Sequence, residues 1–105
     1  MKIEPGLIRA LFKVRDKAVA NKDYDSFAST QVEPNLPNVY TPGYLELDEL
    51  RTEVLSINPV DESSVAVKVF VKEMYRRASE HVRFAFIIYS LSKTENGWRI
   101  YAATI

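Results

Sequence analysis

The sequence predicts an α+β fold in which N-terminal helices pack on a curved, four-stranded antiparallel sheet, and three observations carry that prediction. Leu7, Ile8, Leu11, Phe12, Val14, Ala18 and Val19 recur at intervals of three and four, the spacing of an amphipathic helix. Further on the period becomes two, with Val65, Val67, Val69 and Val71 in one run and Val82, Phe84, Phe86 and Ile88 in the next, the alternation of β-strands. Asn96-Gly97 then offers the positive φ angles of a tight hairpin turn before a last strand. Helices followed by a strand meander bury their apolar faces as one layer on another.

The elements follow in order. Pro5 is tolerated at a helix start, and helix one is expected from about Glu4 to Asn21, with Arg9, Lys13, Asp16 and Lys17 on a solvated face. Asp23 can cap a short second helix, Tyr24 to Thr30, with Tyr24 and Phe27 facing inward. Residues 31–43 hold Pro34, Pro37 and Pro42, so they read as an ordered loop or flap. Tyr44 to Leu50 fits either a helical turn or a strand start, and its Glu-Leu-Asp-Glu-Leu content favours the turn. Strands are expected over Arg51–Asn58, Ser64–Tyr75, His81–Lys93 and Gly97–Ile105. The 105 residues are expected to form a single domain.

Composition narrows the function classes. Fourteen basic and fourteen acidic residues balance, so no summed positive field draws in nucleic acid. Six Tyr, five Phe and one Trp suit a packed core or a lined cavity. Cys is absent, which removes thiolate chemistry and thiolate metal sites but leaves the compartment open. The first residues lack the apolar core of a signal peptide, and no run is long enough to span a bilayer, so a soluble protein without membrane contact is expected. The cytoplasm is the default location, an extracytoplasmic one applying if a leader was removed.

Asp16 and Ala18, then Asn21-Lys22-Asp23-Tyr24-Asp25-Ser26-Phe27, and finally Asn96-Gly97-Trp98-Arg99-Ile100 form a pattern that resembles the nuclear transport factor 2-like (cystatin-like) superfamily. The resemblance covers most of the chain. It implies a cone in which the sheet bends around a pocket closed by helices. In some members that pocket hosts isomerases, dehydratases or cyclases, and in others only ligand or partner binding; members commonly pair sheet against sheet. Members of the ketosteroid isomerase kind aim a buried Asp base, a Tyr and a protonated Asp into the cone. Fold alone therefore leaves function open.

Taking Val65, Val67, Val69, Val71, Val82, Phe84, Phe86, Ile88, Trp98 and Ile100 as the inward set, no acid or base enters until Glu73. Beside Lys72, Arg76 and Arg77, Glu73 reads as an exposed strand-end ion pair, and Glu73→Gln is expected to leave the fold nearly unchanged. The only histidine, His81, falls beside an expected turn. No catalytic residue is assigned, no metal ligand set is seen, and no cofactor is expected. An apolar small molecule could be held by Phe12, Tyr24, Phe27, Tyr40, Tyr44, Phe84 and Trp98, or these side chains could simply fill the cone. The opposite sheet face is also apolar, and Phe70, Ile87, Tyr89, Leu91 and Tyr101 are its expected homodimer contacts. The leading expectation is a noncatalytic dimeric binding domain. Its rival is a small pocket enzyme acting on an apolar substrate, with Glu73 or Asp48 as base and Tyr24, Tyr40 or Tyr44 as donors.

Overall fold

The computed structural model describes residues 4–32, 44, 46–62 and 65–104. Two helices, α1 (Pro5–Ala20) and α2 (Tyr24–Ala28), precede four strands, β1 (Glu49–Pro59), β2 (Ala66–Arg76), β3 (Arg83–Thr94) and β4 (Gly97–Thr104). The strands lie in the order β1-β2-β3-β4, each antiparallel to its neighbour, as the meander predicts.

Pro5 occupies the first turn of α1, where its missing N–H leaves no bond unmade. The helix closes in a Schellman arrangement: Asp23 N donates to Ala18 O at 2.8 Å and Lys22 N to Val19 O at 3.2 Å. This places Lys22 at φ 55°, a left-handed position that glycine usually fills. Asp23 then caps α2, accepting from Ser26 N at 3.1 Å and from Ser26 Oγ at 2.6 Å. The segment after α2 runs along the outer edge of β4, with Ile100 N donating to Thr30 O and Val32 N to Ile100 O, both at 2.8 Å. Strand β1 starts at Glu49, so the expected turn at Tyr44–Leu50 gives way to strand at its end.

Two irregularities bend the sheet. Leu55 has no partner between the pairs Val54–Val71 and Ser56–Phe70. Tyr101 has none between Leu91–Ile100 and Ser90–Ala102. An extra residue on one strand locally kinks and twists it, which curves the sheet around α1.

The core divides in two. Ile8, Leu11 and Phe12 of α1 pack on Val67, Val69, Val71, Ile87, Tyr89, Leu91, Trp98 and Ile100. Ala18, Val19 and Phe27 pack on Leu47 and Leu50, with Tyr44 and Tyr75 at the margin. The buried stripe of α1 is therefore Ile8, Leu11, Phe12, Arg15, Ala18 and Val19, whereas Leu7 and Val14, expected on that stripe, are exposed.

The phase of β3 corrects the sequence reading. Val67, Val69 and Val71 face directly across to Leu91, Tyr89 and Ile87, and residues paired across a ladder share a face. Ile87, Tyr89 and Leu91 thus point at the helix rather than outward, while Phe84, Phe86 and Ile88 point away and are exposed. Both faces of β3 are apolar, and a shift of one residue exchanges them completely. Ser90 and Ser92 share the phase of Phe84, Phe86 and Ile88, Ser90 being buried and Ser92 half-buried.

Candidate functional site

The described interior contains one polar constellation, and it grows from two charged residues on otherwise apolar faces. Arg15 follows Ile8, Leu11 and Phe12 at helical spacing, and Glu73 follows Val67, Val69 and Val71 in strand phase. Arg15 is 1% exposed and Glu73 2%. Arg15 Nη2 donates to Glu73 Oε2 at 2.8 Å and to Thr52 Oγ1 at 2.8 Å. The Tyr44 hydroxyl donates to Glu73 Oε1 at 2.8 Å, and the Tyr89 hydroxyl donates to Oε2. The two phenol oxygens lie 2.5 Å apart.

Aromatic rings enclose the guanidinium. Arg15 Cζ lies 5.1 Å from the ring centroid of Phe12, 5.1 Å from that of Tyr44 and 4.9 Å from that of Tyr89. A weakly hydrated planar cation suits such a cage better than an ammonium does. Asp16 completes the cluster from the flank: it accepts from Thr52 N at 2.7 Å and Thr52 Oγ1 at 2.8 Å, and lies 3.5 Å from Arg15.

The electrostatics follow from that packing. Burial works against the charge on Arg15, but the surrounding Tyr89, Glu73, Tyr44 and Asp16 outweigh it and hold its pKa well above the ordinary value. Burial raises Asp16 above the ordinary carboxylate range, against the pull of Arg15 and of the two Thr52 hydrogen bonds. Burial also raises Tyr44, and it pushes Tyr89 up to about 12. Both phenols therefore stay protonated through the physiological range and act as donors. The arrangement can hold a carboxylate in place, or present two phenol protons to an oxygen.

The expected site residues scatter. Phe12, Phe27 and Trp98 are buried core, Tyr24 is about half exposed, and Phe84 is on the outer sheet face rather than toward the helices. Tyr40 lies outside the described residues. Of that set, Tyr44 hydrogen-bonds within the constellation and Phe12 lends its ring to the cage around Arg15. Glu73, expected as an exposed strand-end pair, is instead sealed in the core, because its strand phase is that of the inward valines. Asp16, expected on a solvated face, is bound to the edge of β1. Asp48 is at the surface, 3.7 Å from Arg76 and 4.0 Å from Lys22, so it cannot serve the interior. His81 is exposed just before β3. Of the expected dimer contacts, Phe70 and Tyr101 do lie on the outer face. Among the described residues, no three His, Asp or Glu side chains converge as a metal ligand set. No described helix is long and apolar enough to cross a membrane.

Solved structures share this architecture. A protein of unknown function from Shewanella oneidensis, described as nuclear transport factor 2-like, superposes with a TM-score of 0.72 at 16% identity, over 94% of this chain and 95% of its own. The chain has the nuclear transport factor 2-like fold. A cystatin-like domain of unknown function from Nostoc punctiforme matches with a TM-score of 0.73 at 13% identity, over 98% of this chain and 76% of its own. A ketosteroid isomerase-like protein from Erwinia carotovora atroseptica matches with a TM-score of 0.62 at 16% identity, over 95% and 92%. No family model and no curated protein matches the chain. At these identities the nuclear transport factor 2-like likeness is one of fold, and it reaches proteins with and without a stated activity.

Proposed function

We propose that this chain is a noncatalytic binding domain that pairs with a second copy through the outer face of its sheet and takes an apolar small molecule or a protein as its ligand. The observation that carries the reading is the outer face itself. Phe70, Phe84, Phe86, Ile88 and Tyr101 stand there 37% to 56% exposed, and Phe70 stacks on Phe86 with centroids 5.9 Å apart. A row of aromatic side chains left in water across three neighbouring strands marks a contact surface. The interior supports the noncatalytic half of the reading: both oxygens of Glu73 are engaged, one by Tyr44 and the other by Arg15 and Tyr89. A general base must come within hydrogen-bond reach of a substrate proton, and Glu73 is 2% exposed. Light scattering on the unmodified protein tests the pairing. A dimer at micromolar concentration is expected, and a monomer at several hundred micromolar would refute it.

One observation favours a second reading, a small pocket enzyme acting on an apolar ketone. Tyr44 and Tyr89 bring two phenol donors to one carboxylate, the groups that proton transfer next to a carbonyl requires. Under that reading a naphthol, a mimic of the enolate, binds the cone, and Tyr44→Phe weakens its binding about tenfold or more. Naphthol binding that ignores Tyr44→Phe removes this alternative.

A further inference from the structure

A second apolar stripe runs along α1 beside the buried one. Leu7, Ala10, Leu11 and Val14 fall at i, i+3, i+4 and i+7, and Leu7 and Val14 are 56% and 47% exposed. This stripe forms one wall of a groove of about 350 Å³, closed by Thr30 and by Trp98 and Arg99 just after the β3–β4 turn. That volume falls in the range of small-molecule sites.

Two polar groups on the strand side lack the partner their chemistry calls for. Trp98 Nε1 is buried and has no hydrogen-bond acceptor among the described residues, an arrangement buried N–H donors generally avoid. The half-buried Arg99 guanidinium donates to Trp98 O at 2.7 Å and forms no ion pair among the described residues. One cation beside an apolar trough matches a ligand with one negative charge and a hydrocarbon body. A phosphate would call for more donors than this wall supplies.

We propose that this groove binds a small monocarboxylate, its apolar body against Leu7, Leu11 and Val14 and its carboxylate on Arg99. Trp98 makes the site observable, because it is the only tryptophan in the chain and lines the groove. The site does not depend on pairing of the sheet or on the Arg15 constellation.

The test is titration of the full chain with octanoate, 1-octanol and octylamine while following Trp98 emission. Octanoate is expected to shift the emission with Kd below about 1 mM, and the alcohol and amine to bind about tenfold more weakly or worse. Arg99→Gln should bring octanoate down to the level of octanol, Arg99→Lys should keep most of the preference, and Val14→Asp should weaken octanoate and octanol. Circular dichroism establishes that each variant is folded, and heteronuclear NMR of the unmodified protein gives an independent map, with shifts expected at Leu7, Val14 and Arg99. Equal affinity for octanoate and octanol would overturn the proposal. So would shifts confined to Tyr44 and Tyr89, or tighter binding of N-acetyl-leucyl-leucine, which would assign the groove to a peptide terminus.

Discussion

Arg15 Nη2 stands 2.8 Å from Glu73 Oε2, with both side chains almost wholly shielded from water, so the ion pair that ties α1 to β2 lies inside the core. Charges in such a place are stabilised only by each other and by their hydrogen bonds. Removing one leaves the other stranded, which typically costs about 3–5 kcal/mol.

Arg15→Met and Glu73→Gln are therefore each expected to destabilise the protein by about 3–5 kcal/mol, and the double variant Arg15→Met/Glu73→Leu to recover much of the loss. Urea denaturation of the three variants measures this. The sequence alone suggests a neutral Glu73→Gln, and the buried pair reverses that expectation.

The raised pKa of Asp16 gives stability a definite pH dependence. Its folded-state value lies above the ordinary 3.8, so between these two values the folded state holds the proton more tightly than the unfolded chain does. The Asp16 contribution thus becomes less favourable as pH rises from 3.8 through the folded value. Asp16→Asn is expected to gain stability relative to the parent as pH rises from 3.8 through the raised folded-state value, then hold a constant difference above it. Denaturation midpoints at each pH check the sign, and a difference moving the other way would contradict it.

At alkaline pH the tyrosines dominate. With Tyr89 at about 12 in the folded state against an ordinary value of 10.0, and Tyr44 also raised, the unfolded chain loses these protons first. Stability should fall between pH 10 and 12 by about 1.4 kcal/mol per pH unit for each phenol, and Tyr89→Phe should flatten that slope. Absorbance of the phenolate near 295 nm, read against a far-ultraviolet unfolding curve, distinguishes the buried phenols from the others.

Substitution on the two faces of β3 should have opposite consequences. Phe86→Glu is expected to leave a folded monomer and weaken self-association by about tenfold or more. Ile87→Glu and Tyr89→Glu place a charge in the core instead and should unfold the chain. Light scattering and circular dichroism on the three variants separate the outcomes.

Ala78 holds φ 50° in the turn after β2. A side chain at such an angle is strained, and Ala78→Gly should raise stability by up to about 1 kcal/mol. Thermal melting checks this.

The fold is readable because most elements carry a clear period or turn signal, the start of β1 within Tyr44–Leu50 being the exception. Asp23 capped the second helix, Asn96-Gly97 closed the hairpin, and the valines of β2 pointed inward. The phase of β3 was not readable from apolar alternation, since both of its faces are apolar; Ser90 and Ser92 held the cue. The constellation was missed for a related reason. Arg15 and Glu73 each break an apolar pattern once, and a charge so placed reads as an edge or a surface until a partner of opposite sign is sought on the facing element. That search would have paired them, whereas Tyr44 and Tyr89 join through geometry that no local spacing encodes.

The sheet is also guarded at its two borders. Asp16 occupies the Thr52 N–H on the free side of β1, and the chain after α2 occupies Ile100 on the free side of β4. At those positions a foreign strand finds its hydrogen-bonding sites already taken, which opposes edge-to-edge growth of the kind that builds fibres. The proposed pairing of outer faces has the opposite character, because a two-fold face-to-face contact closes on itself after two molecules.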